Sequence, residues 1–192
     1  LFATNAENEL DPEVWDNGTL MQREAYLKSL RAQDPAKARE RFETASASFD
    51  ARERAAFTGC LGEGLSAADE AFLETLLEKD RSKEVRQAAA SLLVRLPESG
   101  YVRRMGERLA ACIVVPEARG GLIGRIPSAF SAPLPAVEPP ESFDPEWKKD
   151  LLEEKKPQYE EFGPRAWWLY QIGRCVPLAW WEAYTGLSPE AL

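Results

Sequence analysis

The chain has 192 residues, 44% apolar and 29% charged, enough to bury a core and to exclude a disordered chain. Its net charge of -8 is the wrong sign for a sequence-independent grip on nucleic acid or anionic lipid, and with no histidine it has no His triad, His general base or His metal ligand. Ala and Leu outnumber Val and Ile about fourfold, which favours helix over strand and predicts an all-α protein.

Residues 1–18 are acidic and weakly patterned and read as an N-terminal arm, docked through Leu10, Val14 and Trp15. From residue 19 to about 112 helix-length segments alternate with short punctuating runs, the layout of antiparallel helical hairpins. Between Thr19 and Gln33, Leu20, Tyr26, Leu27 and Leu30 share a broad face. Asp34-Pro35 then caps and starts a helix that Ala38, Phe42, Ala45 and Phe49 continue at helical spacing. Asp50 caps a third segment with Ala56, Phe57, Cys60 and Leu61 inward, stopped by Gly62 and Gly64. Ser66, with Asp69 three residues on, forms an acidic variant of the capping box ahead of Phe72, Leu73, Leu76 and Leu77. Ser82 opens the cleanest stripe, Val85, Ala88, Ala89, Leu92, Leu93 and Leu96, which Pro97 ends. Ser99 opens a sixth segment with Val102, Met105, Leu109 and Cys112 inward.

The segments repeat. Arg23, Arg54 and Arg86 are spaced by 31 and then 32 residues, each followed by a small Ala and, seven residues on, by Leu30, Leu61 and Leu93. A helix-pair unit of this length recurring three times predicts an α-solenoid, in which each unit buries its apolar face on its neighbours. The three arginines read as structural residues of that repeat.

Residues 113–145 carry seven prolines and Gly120, Gly121 and Gly124, and read as an irregular crossover. Ile113-Val114-Val115 and Leu122 to Ile126 are the segments able to pair there as a short hairpin. Residues 146–192 form a Trp-rich helical region. Asp144-Pro145 leads into Trp147, Leu151 and Leu152. Gly163-Pro164 starts a helix with Trp168, Leu169, Ile172 and Val176 on one face, and Pro177 ends it. Leu178, Trp181 and Tyr184 then point inward before Gly186 caps the end. The start at Leu1 and the stop at Leu192, inside the helix that Ser188-Pro189 opens, predict a piece of a longer polypeptide.

Asp80 to Leu93, with Asp80 at the turn and Arg86 six residues later, resembles the second helix of a HEAT repeat. That resemblance implies that Asp80 and Arg86 belong to a ladder joining successive repeats. A wider resemblance rests on Asp16-Asn17-Gly18-Thr19 with Arg23 to Leu27, Asp34-Pro35 with Ala38-Arg39, the Asp80 repeat, Arg165 to Leu169, and Trp181 with Gly186 to Glu190. On these residues the chain is similar to a bacterial domain-of-unknown-function family found near genes for MoxR-type AAA+ ATPases, von Willebrand factor A (VWA) proteins and SWIM zinc-finger proteins. The resemblance implies an accessory role beside such an ATPase, with the AAA+ protein or the VWA protein as partner.

Weighed as chemistry, most features read as structure. Cys60, Cys112 and Cys175 lie far apart with no C-x-x-C spacing, and read as buried thiols of a reducing cytoplasm. Gly120 to Gly124 lacks the Lys-Ser/Thr ending of a phosphate loop. Glu153-Glu154 and Glu160-Glu161 read as charged helix faces. In the pairs Trp167-Trp168 and Trp180-Trp181 the members cannot share one core, so Trp168 and Trp181 are placed inward. Trp167 and Trp180 are left to cover neighbouring helices or to meet a partner. Arg103, Arg104 and Arg108 form the densest positive patch and the candidate edge for an acidic protein partner. The sequence therefore predicts a cytoplasmic, non-catalytic protein-interaction scaffold with no cofactor, no metal, no nucleic acid and no membrane. A carboxylate-only hydrolase and a helical-repeat nucleic-acid binder of the DNA-alkylation-repair type are the alternatives.

Overall fold

Side-chain caps set most of the helix boundaries. Thr19 and Asp50 accept from the backbone N–H three residues on, while the side chains of Gln22 and Glu53 return a bond to the capping N–H. These two boxes satisfy otherwise orphaned donors at the heads of α2 (Leu20–Gln33) and α4 (Ala51–Cys60). Asp11, Asp34 and Ser82 cap α1 (Pro12–Asn17), α3 (Pro35–Ala45) and α6 (Lys83–Leu93) singly, each accepting from a backbone N–H two or three residues on. The Ser66 N–H donates to Asp69 Oδ2 at 3.0 Å across the short 3-10 turn Ala67–Asp69, which leads into α5 (Glu70–Lys79).

The computed structural model describes residues 11–114 and 136–186. Among them the chain is predominantly helical, as its composition predicts, and adds α7 (Gly100–Ala110), α8 (Pro164–Gly173) and α9 (Leu178–Thr185). None of these helices is long and apolar enough to cross a membrane. Two short strands, β1 (Ile113–Val114) and β2 (Ala136–Val137), pair antiparallel with Ile113 opposite Val137. The short hairpin that 113–115 and 122–126 are able to form falls largely on residues that are not described. Residues 122–126, like Leu10, Gly120 and Gly121, lie outside the described residues. The described chain divides into two compact units: one runs up to Tyr101 and includes Lys149–Leu151, the other takes Val102–Lys148 and the residues from Leu152 on.

In the first unit α2 packs on α3, α5 on α6, and α2, α4 and α6 touch in succession. Its core is aromatic at one end, where Trp15, Tyr26, Phe42, Phe49, Phe57 and Phe72 meet ring to ring at centroid distances of 5.0 to 6.3 Å. The N-terminal arm is thus ordered locally as α1, with Trp15 only 4% exposed. Phe49 reaches this core from extended backbone beyond the 3-10 turn Ser46–Ser48, and not as the last turn of α3.

The repeated arginines all reach toward a later segment. Arg23 Nη1 donates to Glu53 Oε1 at 2.7 Å, and its guanidinium lies 4.6 Å from the Phe49 ring centroid. Arg54 Nε and Nη2 donate to Asp80 at 2.7 and 3.1 Å. Arg86 donates to the carbonyls of Leu77 at 2.6 Å and Lys149 at 2.9 Å.

The sequence gives no sign of the second ionic centre. Arg31, with no exposed surface, donates from Nη1 and Nη2 to Asp69 at 2.9 and 3.0 Å. It also serves the carbonyl of Pro35 at the head of α3 and those of Leu61, Glu63 and Gly64, which close the turn after α4. Arg39 adds a third bond to Asp69 at 2.8 Å. A buried charge survives only when its bonding capacity is filled, and here several backbone acceptors fill the guanidinium.

Candidate functional site

In the second unit α7 is sharply two-faced. Val102, Met105, Leu109 and, just past the helix, Cys112 are buried, the stripe that the sequence predicts. Arg103, Glu107 and Ala111 stand exposed beside the half-buried Arg104 and Arg108. Arg104, Glu107, Arg108, Ala111 and Cys112 join Pro140 and Trp147 in lining an open pocket of about 510 Å³. Two members of the predicted basic patch are thereby brought into one concave site. Arg103 lies exposed on the same helix and is not part of the lining.

The far wall comes from the 3-10 turn Pro145–Asp150, begun by Asp144, whose Oδ1 accepts the Glu146 N–H at 2.9 Å. Trp147 meets Phe143 edge-on at 5.3 Å, and Phe143 meets Trp168 at 5.8 Å. The Arg108 guanidinium carbon lies 6.0 Å from the Trp147 ring centroid, and its Nη1 lies 3.5 Å from Met105 Sδ. A cation set against an indole face keeps its charge while losing part of its rotational freedom. Among the described residues the lining sets Arg104, Arg108 and Glu107 beside an apolar wall of Trp147, Pro140 and Ala111.

Cys112 brings no nucleophile to this pocket. Its thiol is 5% exposed, donates toward the Arg108 carbonyl at 3.3 Å, and is pushed above the ordinary thiol range by burial. Nor do the buried carboxylates of the first unit offer acid catalysis. Burial alone would raise Asp69, but hydrogen bonds from Arg31, Arg39 and the Ser66 N–H outweigh it and hold the carboxyl below its usual range. Asp80 is lowered likewise against its burial, chiefly by Arg54. A general acid needs the opposite shift. Glu153, Glu154 and Glu161 are exposed, and Glu154 pairs with Lys148 at 2.9 Å. Among the described residues no three Cys, Asp or Glu side chains are grouped to hold a metal ion.

The tryptophans require a correction. Trp167, expected on the outer side of α8, is 7% exposed and stacked with Tyr170 at 5.7 Å, whereas Trp168, expected inside, is half-buried. Gln171 decides this: its amide is buried one turn beyond Trp167 and exchanges hydrogen bonds with the backbone of Glu153, so the Trp167-Gln171 face is turned inward. The Trp168 indole instead donates to the Glu154 carbonyl at 2.8 Å. Trp167 is therefore interior and drops out of the surface expected to meet a partner.

Trp180 anchors α9. A Cβ on Gly106 would lie 2.6 Å from Trp180 Nε1, so the missing side chain of α7 is the indole's seat. Tyr184 stacks on Trp180 at 4.7 Å and 7°, and its hydroxyl donates to the Ala110 carbonyl at 3.4 Å. This fixes the rotation of α9, so Leu178, expected inward, is 65% exposed and Tyr184 remains 43% exposed. Of the repeat residues, Asp80 is bound to Arg54 of the preceding copy, while Arg86 reaches the backbone of Leu77 and Lys149.

A family described as a family of unknown function (DUF5691) matches residues 1–192. No curated protein and no solved structure matches the chain.

Proposed function

We propose, from the premise that the chain belongs to that family of unknown function, that it acts by holding another protein and catalyses no reaction itself. It is a scaffold or accessory factor, with HEAT-like stacked hairpins in the first unit and a basic binding edge on α7 in the second. The observation that carries this reading is the pairing of Arg104 and Arg108 with Trp147 around one open pocket. Arginine and tryptophan are the side chains that most often dominate protein interfaces. The HEAT-like part is supported by the forward reach of Arg54 to Asp80 and by the succession of α2, α4 and α6 contacts. The partner expected from the family resemblance is a MoxR-type AAA+ ATPase or a VWA protein, and the expected compartment is the cytoplasm.

The test is capture of the chain's partner from a lysate of its source cells, followed by reconstitution with the recovered protein in purified form. The reading expects a saturable complex of fixed stoichiometry that survives gel filtration. If no protein reconstitutes with the purified chain, the scaffold reading fails.

A further inference from the structure

We infer that the exposed aromatic edge at the entry to α8, Phe162 with Tyr170 and with Tyr159 three residues earlier, docks an arginine-bearing segment of a protein partner. The partner's guanidinium lies against the Phe162 ring, and Glu160 and Glu161 supply the countercharge. This surface shares no residue with the lining of the α7 pocket and does not depend on it.

Phe162 and Tyr170 meet at a centroid distance of 5.8 Å, yet each is 45% exposed, and Tyr159 is 82% exposed. Tyr170 also stacks on the buried Trp167, which seats the outer rings on the core. The Glu160 N–H donates to the Pro157 carbonyl at 3.2 Å and Lys156 Nζ to the Glu160 carbonyl at 2.6 Å, so the loop that carries Tyr159 is tied as a turn. Rings already held in place and left in water offer a large contact area at little further loss of rotamer freedom.

Charge selects the occupant. Residues 153–161 carry four glutamates against two lysines, in a chain of net charge -8. Lys156 is engaged with the Glu160 carbonyl and Glu154 with Lys148, while the carboxylates of Glu160 and Glu161 make no hydrogen bond or ion pair among the described residues. Carboxylates beside exposed rings repel a phosphate backbone or an anionic headgroup and attract a cation. A purely apolar segment would cover those carboxylates and return no bond to them. Tyr170 shows the contact in miniature: the Arg174 guanidinium carbon lies 5.8 Å from its ring centroid, whereas Phe162 beside it has no cation against it among the described residues. Arginine fits better than lysine, because its plane stacks on a ring while its edge still meets a carboxylate.

The experiment is fluorescence anisotropy of the full chain with a fluorescein-labelled hexapeptide of alternating Arg and Ser, alongside its Lys-Ser, Gln-Ser and Leu-Ser counterparts. The Arg-Ser peptide is expected to bind saturably, about threefold more tightly than Lys-Ser and at least about tenfold more tightly than Gln-Ser. Phe162→Ala is expected to weaken it about threefold, and Phe162→Leu, which keeps apolar bulk and loses the ring, by a similar factor. Tyr159→Phe is expected to leave the affinity unchanged. Glu161→Gln is expected to weaken it about threefold, whereas Glu40→Gln, which removes the same charge from an exposed acid on α3, changes it less than about 1.5-fold. Circular dichroism checks the fold of each variant. No saturable binding, equal binding of the Arg-Ser and Gln-Ser peptides, or tighter binding of Leu-Ser overturns the assignment. So does an unchanged affinity in Phe162→Leu, or an equal loss in Glu40→Gln and Glu161→Gln, which marks a general attraction to an acidic chain. Each of these results leaves the reading of the α7 edge standing.

Discussion

Arg54 and Asp80, 26 positions apart in the chain, are joined by two near-parallel hydrogen bonds, Nε to Oδ2 at 2.7 Å and Nη2 to Oδ1 at 3.1 Å. Asp80 also accepts the Ser82 N–H at 2.8 Å, so one carboxylate fastens the α5–α6 turn to α4. Arg54 in turn donates to the Phe49 carbonyl at 2.6 Å.

This pair makes stability depend on pH. Asp80 and Asp69 titrate below their usual range in the folded chain, because arginine hydrogen bonds outweigh the opposing effect of burial. A depressed folded-state value means that the stabilisation is complete above the unfolded carboxylate range and is lost as pH falls through the folded values. Urea unfolding is expected to show wild-type stability constant near neutrality and declining below about pH 4. Asp80→Asn is expected to cost about 1–2 kcal/mol at pH 7 and to make the acid decline shallower. An unchanged acid slope in Asp80→Asn contradicts this account of the pair.

Arg31→Met removes the principal partner of a carboxylate with no solvent exposure and abandons the carbonyls of Leu61, Glu63 and Gly64. The expected loss is about 3–5 kcal/mol by urea unfolding. The double change Arg31→Met with Asp69→Leu is expected to recover part of it, since the buried carboxylate is then gone and only the partly exposed Arg39 loses its partner. A loss below about 1 kcal/mol for Arg31→Met is inconsistent with a buried pair.

Gly106 and Trp180 predict a reversal of sign. Ala replacing Gly inside a helix ordinarily gains about 1 kcal/mol. Here the added methyl meets the indole, so Gly106→Ala is expected to destabilise the wild-type chain and to expose Trp180, read as a red-shifted fluorescence. In a Trp180→Ala background the same change is expected to stabilise. Stabilisation in both backgrounds means that the indole does not occupy this seat.

The thiols are expected to be inert in the folded chain. Burial pushes Cys60 up to about 11, and Cys112 and Cys175 are also buried. Ellman's reagent at pH 8 is expected to titrate none of the three within minutes in native buffer and all of them in guanidinium. Rapid reaction of a native thiol contradicts the burial.

Local chemistry made much of this fold readable in advance. The caps at Thr19, Asp34, Asp50 and Ser82 act within three residues, and the Val102, Met105, Leu109, Cys112 stripe repeats at helical spacing, so sequence alone reveals both. The burial of Arg31 had no such signal, because it depends on a carboxylate 38 residues away and on the carbonyls of a turn. The order of Trp167 and Trp168 carries no local signal for the same reason: a segment 18 residues away, through the Glu153–Gln171 bonds, selects the face. The candidate pocket was half legible. The spacing of Arg104 and Arg108 puts them one turn apart, but Pro140 and Trp147 come from other segments and carry no sequence mark of their destination.

The most direct measurement is a calorimetric titration of the reconstituted partner with the wild-type chain and with a variant carrying Arg103→Glu, Arg104→Glu and Arg108→Glu, its fold checked by circular dichroism. A binding scaffold with a basic edge on α7 predicts one saturable transition for the wild type and a loss of at least about tenfold in the variant, or about 1.4 kcal/mol. Equal affinity of the two folded chains contradicts it.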